Sequence, residues 1–167
     1  YEPGRRSVDP AELAPDIAAL DFALTRIVRP GRLLVQAAFS LTLVATSDGA
    51  GARRAQGRSP SLELPPGSYA VSVAAPDVFF AGEATVTVRE GEDVVLPNVP
   101  TAVKVLVFHV RGDATGRIDD FAPFPSGGPR TVAVGAHRFV FEWPSGEQVT
   151  RDVEIERDGQ EVSARHP

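Results

Sequence analysis

From about residue 33 onward, apolar residues come in short runs or in strict alternation with polar ones, each run closed by Gly, Pro, Asp or Ser. That periodicity of two is the mark of β-strands, whose side chains point alternately to opposite faces. It predicts strands over 33–38, 41–46, 61–64, 68–74, 84–89, 93–97, 103–111, 131–134, 137–143, 149–156 and 161–164. Many short strands with frequent turn signals predict an antiparallel sandwich or barrel, because a parallel sheet would need crossover helices for which the chain has no stretches. The expected class is all-β. Residues 1–30 read differently. Asp9, Pro10 and Glu12 form a helix-start pattern ahead of Leu13, Ile17, Leu20, Leu24 and Ile27 at helical spacing. Pro15 interrupts that helix, however, and Leu20, Phe22 and Leu24 also alternate as a strand would. A short helix and an added edge strand are both open, and in either case the segment is expected to pack on the first group of strands.

The strand region repeats itself. Leu64-Pro65-Pro66-Gly67-Ser68-Tyr69-Ala70-Val71 aligns with Val132-Ala133-Val134-Gly135-Ala136-His137-Arg138-Phe139, and Arg89-Glu90-Gly91 with Arg157-Asp158-Gly159, both at an offset of 68 positions. Gly57-Arg58-Ser59-Pro60 has a counterpart in Gly127-Gly128-Pro129. Gly67 and Gly135 are expected in tight turns at positive φ, and Gly91 and Gly159 in hairpin turns. Behind the first pair, Tyr69, Val71 and Val73 share one strand face, as do His137, Phe139, Phe141 and Trp143, so both strands are expected in a core. Pro97-Asn98-Val99-Pro100 is the natural linker, since prolines interrupt strand pairing. The expected organisation is an N-terminal segment over 1–30 and two small antiparallel β-sandwich modules over 31–98 and 101–167.

At this point the punctuation resembles a family. A strand, the Asp48-Gly49 turn, Gly57-Arg58-Ser59-Pro60, then Leu64-Pro65-Pro66-Gly67-Ser68-Tyr69-Ala70-Val71-Ser72-Val73 and a strand ending at Gly91 are similar to the PEGA domain, a bacterial β-sandwich module of about this size. Its usual pattern is a Gly-x-Thr-Pro segment, a Pro-Gly turn and an aromatic-valine strand. The second copy resembles it through Gly128-Pro129 and Gly135-Ala136-His137-Arg138-Phe139-Val140-Phe141, departing by Val134 in place of the turn proline and by lacking the threonine. The resemblance covers residues 31–164. Prealbumin-like and carboxypeptidase-regulatory-like modules share much of the same punctuation. What the resemblance implies is an accessory module, at cell surfaces or attached to signalling enzymes such as bacterial protein kinases, without shared catalytic residues.

Composition narrows the chemistry. The net charge of -5 is spread without a long run of one sign, which argues against a nucleic-acid or anionic-membrane surface. With no cysteine there is no disulfide, thiolate metal site or cysteine nucleophile. No apolar run approaches the roughly 20 residues of a membrane span. A start at Tyr1 fits a processed protein or a piece of a longer one; the compartment is left open, with an extracytoplasmic one, periplasm or cell surface, favoured over the others. His137, aligned with Tyr69, is expected at the edge of the core, His109 packs on the face of Val103, Val105 and Val107, and His166 is expected to be mobile near the terminus. Asp119-Asp120 could hold a cation or act as an acid/base pair, but adjacent carboxylates of a strand point apart, and a solvated loop is the simpler reading.

Two features carry candidate partner contacts. Arg53, Arg54 and Arg58 stand among Gly49, Gly51 and Gly57, where a loop could hold a phosphate or acidic glycan, or form a flexible, soluble hairpin tip. Val78-Phe79-Phe80 lies where the second copy is shorter, so it either forms an exposed apolar tip or packs beneath the first module or against the second. Phe121, Pro123, Phe124 and Pro125 read the same way. No catalytic residue, metal ligand or cofactor is expected. The expected function is that of a non-catalytic structural or protein-interaction module within a larger bacterial surface or signalling protein. The alternative is a carbohydrate or cell-wall binding module, for which an exposed Trp143 would be the main support.

Overall fold

The computed structural model describes residues 27–47, 50–97, 99–110 and 113–167. Apart from residues 27–30, the N-terminal segment read as helix or edge strand lies outside the described residues, as does the Asp48-Gly49 turn. The chain is all-β. The first seven strands are β1 (Gly31–Leu34), β2 (Leu41–Ser47), β3 (Ala50–Gly57), β4 (Ser61–Leu64), β5 (Gly67–Ala75), β6 (Phe80–Val88) and β7 (Asp93–Val95). The next seven are β8 (Ala102–Val110), β9 (Thr115–Ile118), β10 (Phe124–Pro125), β11 (Pro129–Ala133), β12 (Gly135–Glu142), β13 (Gln148–Ile155) and β14 (Gln160–Arg165). Among the described residues the only helical piece is the 3-10 turn Pro76–Val78, and no helix is long and apolar enough to cross a membrane.

The strands form four sheets in two sandwich-like pairs. In the first half β4-β1-β7 faces β3-β2-β5-β6; in the second, β11-β8-β14 faces β10-β9-β12-β13. Position by position this is one strand order used twice, down to the parallel pairing of the first strand of each half with its last, β1 with β7 and β8 with β14. Each half closes on its own apolar cluster. One gathers Leu33, Leu43, Leu64, Val71, Val73 and Val88, the other Val107, Ile118, Phe139, Phe141, Trp143 and Ile155. Alternation is what fills them: Tyr69, Val71, Val73 and Ala75 of β5 point inward while Ser68, Ala70, Ser72 and Ala74 face out. Burying each of the larger side chains contributes roughly 1.5–3 kcal/mol.

The halves fill equivalent space with different residues. Val73 lies opposite Leu43, whereas Phe141 lies opposite Gly116. A Cβ on Gly116 would meet the Phe124 ring at 2.7 Å, so the position is kept bare by that ring as well as by the bulk of its neighbours.

Several expectations need correction. β3, β9 and β10 are not among the predicted strands, because their residues are polar, glycine-rich or too few to show an alternation. The hairpin glycines Gly91 and Gly159 have φ of 65° and 74°, and Gly135 has φ of 137°. Gly67, in contrast, is not among the positive-φ glycines: β5 begins on it in extended conformation, beside the Tyr69 ring.

Candidate functional site

The chemistry-bearing residues meet where the two halves join. β9 ends at Ile118, and Asp119 then takes φ of 49°, a conformation uncommon outside glycine. Three hydrogen bonds hold it there. Its N–H donates to the Arg138 carbonyl at 2.8 Å, and its Oδ1 accepts the Arg138 N–H at 2.8 Å. Its Oδ2 lies 2.7 Å from His137 Nδ1. The other ring nitrogen, Nε2, donates to the Ala133 carbonyl at 2.9 Å, within a ring that is 9% exposed. The solvated-loop reading of Asp119 is thus corrected: β12 comes alongside β9 and completes its bonding, a partnership across eighteen positions that local pattern could not reveal. Asp120 remains exposed.

This arrangement limits what the site can do. A carbonyl oxygen only accepts, so Nε2 must carry a proton, and Nδ1 is occupied by the carboxylate. No ring nitrogen is left to take a proton from a bound molecule. His137 therefore ties β12 to the turn after β9 and to the end of β11.

The second element of the site is Phe79. It caps the 3-10 turn with φ of 52°, its N–H bonded to the Pro76 carbonyl at 3.2 Å. Phe79 and Asp119 are the two non-glycine residues of positive φ among the described residues, and both line the cleft at this junction. The Val78-Phe79-Phe80 segment divides three ways. Val78 is buried in the first core, Phe80 meets Phe39 edge-on at 6.1 Å, and Phe79 enters the second half. There its ring lies 5.7 Å from Phe121 and 5.6 Å from Phe124, and Arg130 covers the Phe124 ring at 4.7 Å. Such aromatic contacts contribute about 0.5–1.5 kcal/mol each beyond the area they bury. The cleft beside this plug, about 560 Å³, is walled by Phe80, Ala81, Phe121 and Gly135, with Asp119 and Asp120 at its border.

The other candidates are placed elsewhere. Arg53 and Arg54 belong to β3 and, as neighbours on a strand, point to opposite sides; they form no flexible loop tip. Arg53 donates to the Glu63 carbonyl at 3.2 Å, and Arg58 follows the strand, its carbonyl accepting the Ala37 N–H. His109 Nδ1 pairs with Ser126 Oγ, whose hydroxyl donates to the Ala114 carbonyl. Trp143 is 2% exposed and so offers no platform for a sugar, which removes the main support for the carbohydrate reading. His166, expected to be mobile, packs edge-on against Trp143 at 5.1 Å and lies 3.0 Å from Glu147.

No protein-family model matches the chain, and no curated protein does. Among solved structures, the Bacillus anthracis TIE protein is similar at 15% identity with a TM-score of 0.36, over 83% of this chain and 33% of that one. The chain thus spans about a third of that protein's length.

Proposed function

We propose that the chain is a non-catalytic structural and protein-interaction module, an accessory part of a larger bacterial surface or signalling protein. In this reading residues 31–98 and 101–167 are two PEGA-like sandwiches held at a fixed mutual orientation. The observation that carries it is the Phe79 plug: a residue of the first half, in a strained conformation, completes an aromatic cluster of the second. Strain of this kind persists only where the surroundings hold it, and a flexible tether between independent beads would have no use for it. The polar side chains of a kind that does chemistry support the same reading, since His137 bonds to Asp119 and His109 to Ser126, and both clusters bond to the main chain. Residual dipolar couplings of the intact chain should fit a single alignment tensor across both halves, and Phe79→Ala should give each half a tensor of its own. Two independent tensors in the unaltered chain would refute the fixed-orientation spacer.

A further inference from the structure

Sheet edges offer unpaired N–H and C=O groups to any passing strand, and proteins blunt them with short strands, proline, charge or a register break. Among the described residues, seven of the eight edges are blunted. β4 has four residues between Pro60 and Pro65, β7 has three, β10 has two and ends on Pro125, and β11 opens on Pro129. β3 carries Arg53 and Arg54, and its register with β2 shifts between Ala45 and Ser47. β13 carries Arg151, Asp152 and Glu154, and β14 carries Glu161 and Arg165. β6 is the exception. It runs for nine residues with Glu83 as its one charge, has no proline, and keeps unbroken register with β5. Among the described residues it pairs with β5 alone.

We propose that β6 is a self-association edge, on which a second copy of this chain lays its own β6 antiparallel across a twofold axis at Ala84. The two four-stranded sheets then become one of eight strands. The strand is self-complementary in that register. Phe80 stands against the partner's Val88 and Gly82 against the partner's Val86, which continues the core-facing row, while Glu83 meets the partner's Thr85 and no carboxylates face each other. The charges beyond the strand end agree. Arg89 follows β6 with a side chain 80% exposed, its ion pair among the described residues being a 3.9 Å contact to Glu92. Antiparallel pairing carries the partner's Arg89 to the Phe79–Phe80 end of β6, whose residues Phe79, Phe80 and Ala81 also line the cleft bordered by Asp119 and Asp120. By symmetry the contact is made twice.

The proposal deepens the interaction-module reading by naming the partner, and its test is independent of the dipolar couplings that test the fixed orientation. Light scattering coupled to size-exclusion chromatography, from micromolar to millimolar chain, should show a dimer. Thr85→Glu, which sets a carboxylate beside the partner's Glu83 on both sides of the axis, should weaken association roughly tenfold, and Thr85→Lys should strengthen it. Arg89→Glu should weaken it and Asp120→Arg should restore it, with circular dichroism unchanged in every variant. A monomer at all concentrations overturns the proposal, as does a dimer indifferent to the charge at position 85. A monomer that dimerises only when residues 1–26 are removed, or one that takes up an added extended peptide along β6, overturns it in favour of the chain's own N-terminal segment or a foreign strand.

Discussion

Tyr69 and His137 occupy the same place in the two halves and make the same bond. The Tyr69 hydroxyl donates to the Pro65 carbonyl at 2.7 Å, and His137 Nε2 donates to the Ala133 carbonyl at 2.9 Å, each reaching back four residues, to the residue just past β4 in one half and to the last residue of β11 in the other. The difference lies in what each ring leaves over. The phenol has one polar atom, which among the described residues makes this one bond. The imidazole has a second, which burial obliges to pair, and Asp119 supplies the partner at the cost of a left-handed backbone. One difference within the repeat thus draws a third segment, the turn after β9, into a latch that in the first half joins β5 to the residue following β4. The cores diverge in the same direction: Val71 and Val73 of β5 become Phe139 and Phe141 of β12.

The largest difference between the halves should appear when the larger core is emptied. Phe141→Ala should destabilise the second half by roughly 3–5 kcal/mol, because Gly116 opposite has no side chain with which to fill the space. Val73→Ala, facing Leu43, should cost clearly less. Calorimetry that finds equal losses would contradict the packing. Next in size is the latch. His137→Ala should cost roughly 1–3 kcal/mol by removing a buried ring together with both of its hydrogen bonds, against about 0.5–1.5 kcal/mol for Tyr69→Phe, which removes one. Equal losses in chemical denaturation would contradict the larger role given to His137. The smallest contrast is between the turn glycines. Gly135→Ala should cost on the order of 1 kcal/mol through its φ of 137°, while Gly67→Ala, in extended backbone, should be nearly silent. Equal shifts in melting temperature would show that turn conformation does not separate them.

How far the fold could be read from the sequence follows the same line between local and long-range causes. The repeat was legible because it rests on turn residues, β5 because its inward face of Tyr69, Val71 and Val73 alternates with small residues, and β12 because it is rich in aromatic and β-branched residues. β3 was not, since Gly51, Arg53 and Arg54 suit an edge whose stability comes from pairing with β2 and from no apolar face of its own. β9 was hidden because the residue packed under Phe124 is a glycine, which carries no hydropathic signal. Gly67 shows the opposite error: a Pro-Gly pair suggests a positive φ, yet here the turn is made without one. The candidate site was legible only in parts. His137 is placed at a core edge by its alignment with Tyr69, but its bond to Asp119 depends on how β9 registers against β12. Phe79 stands out as part of an aromatic run, while its partners Phe121 and Phe124 lie some forty positions onward.

The parallel pairing of first and last strands has a mechanical meaning. A pull on the two ends of either half drags two neighbouring strands past each other along their length, so their hydrogen bonds are loaded together in shear rather than peeled one at a time. In the first half that contact is three residue pairs long, Arg32↔Asp93 to Leu34↔Val95; in the second it is six, Gln160↔Val105 to Arg165↔Val110. Pulled by its two ends, the chain is a weak link and a strong link in series, and the half with the shorter shear contact gives way first.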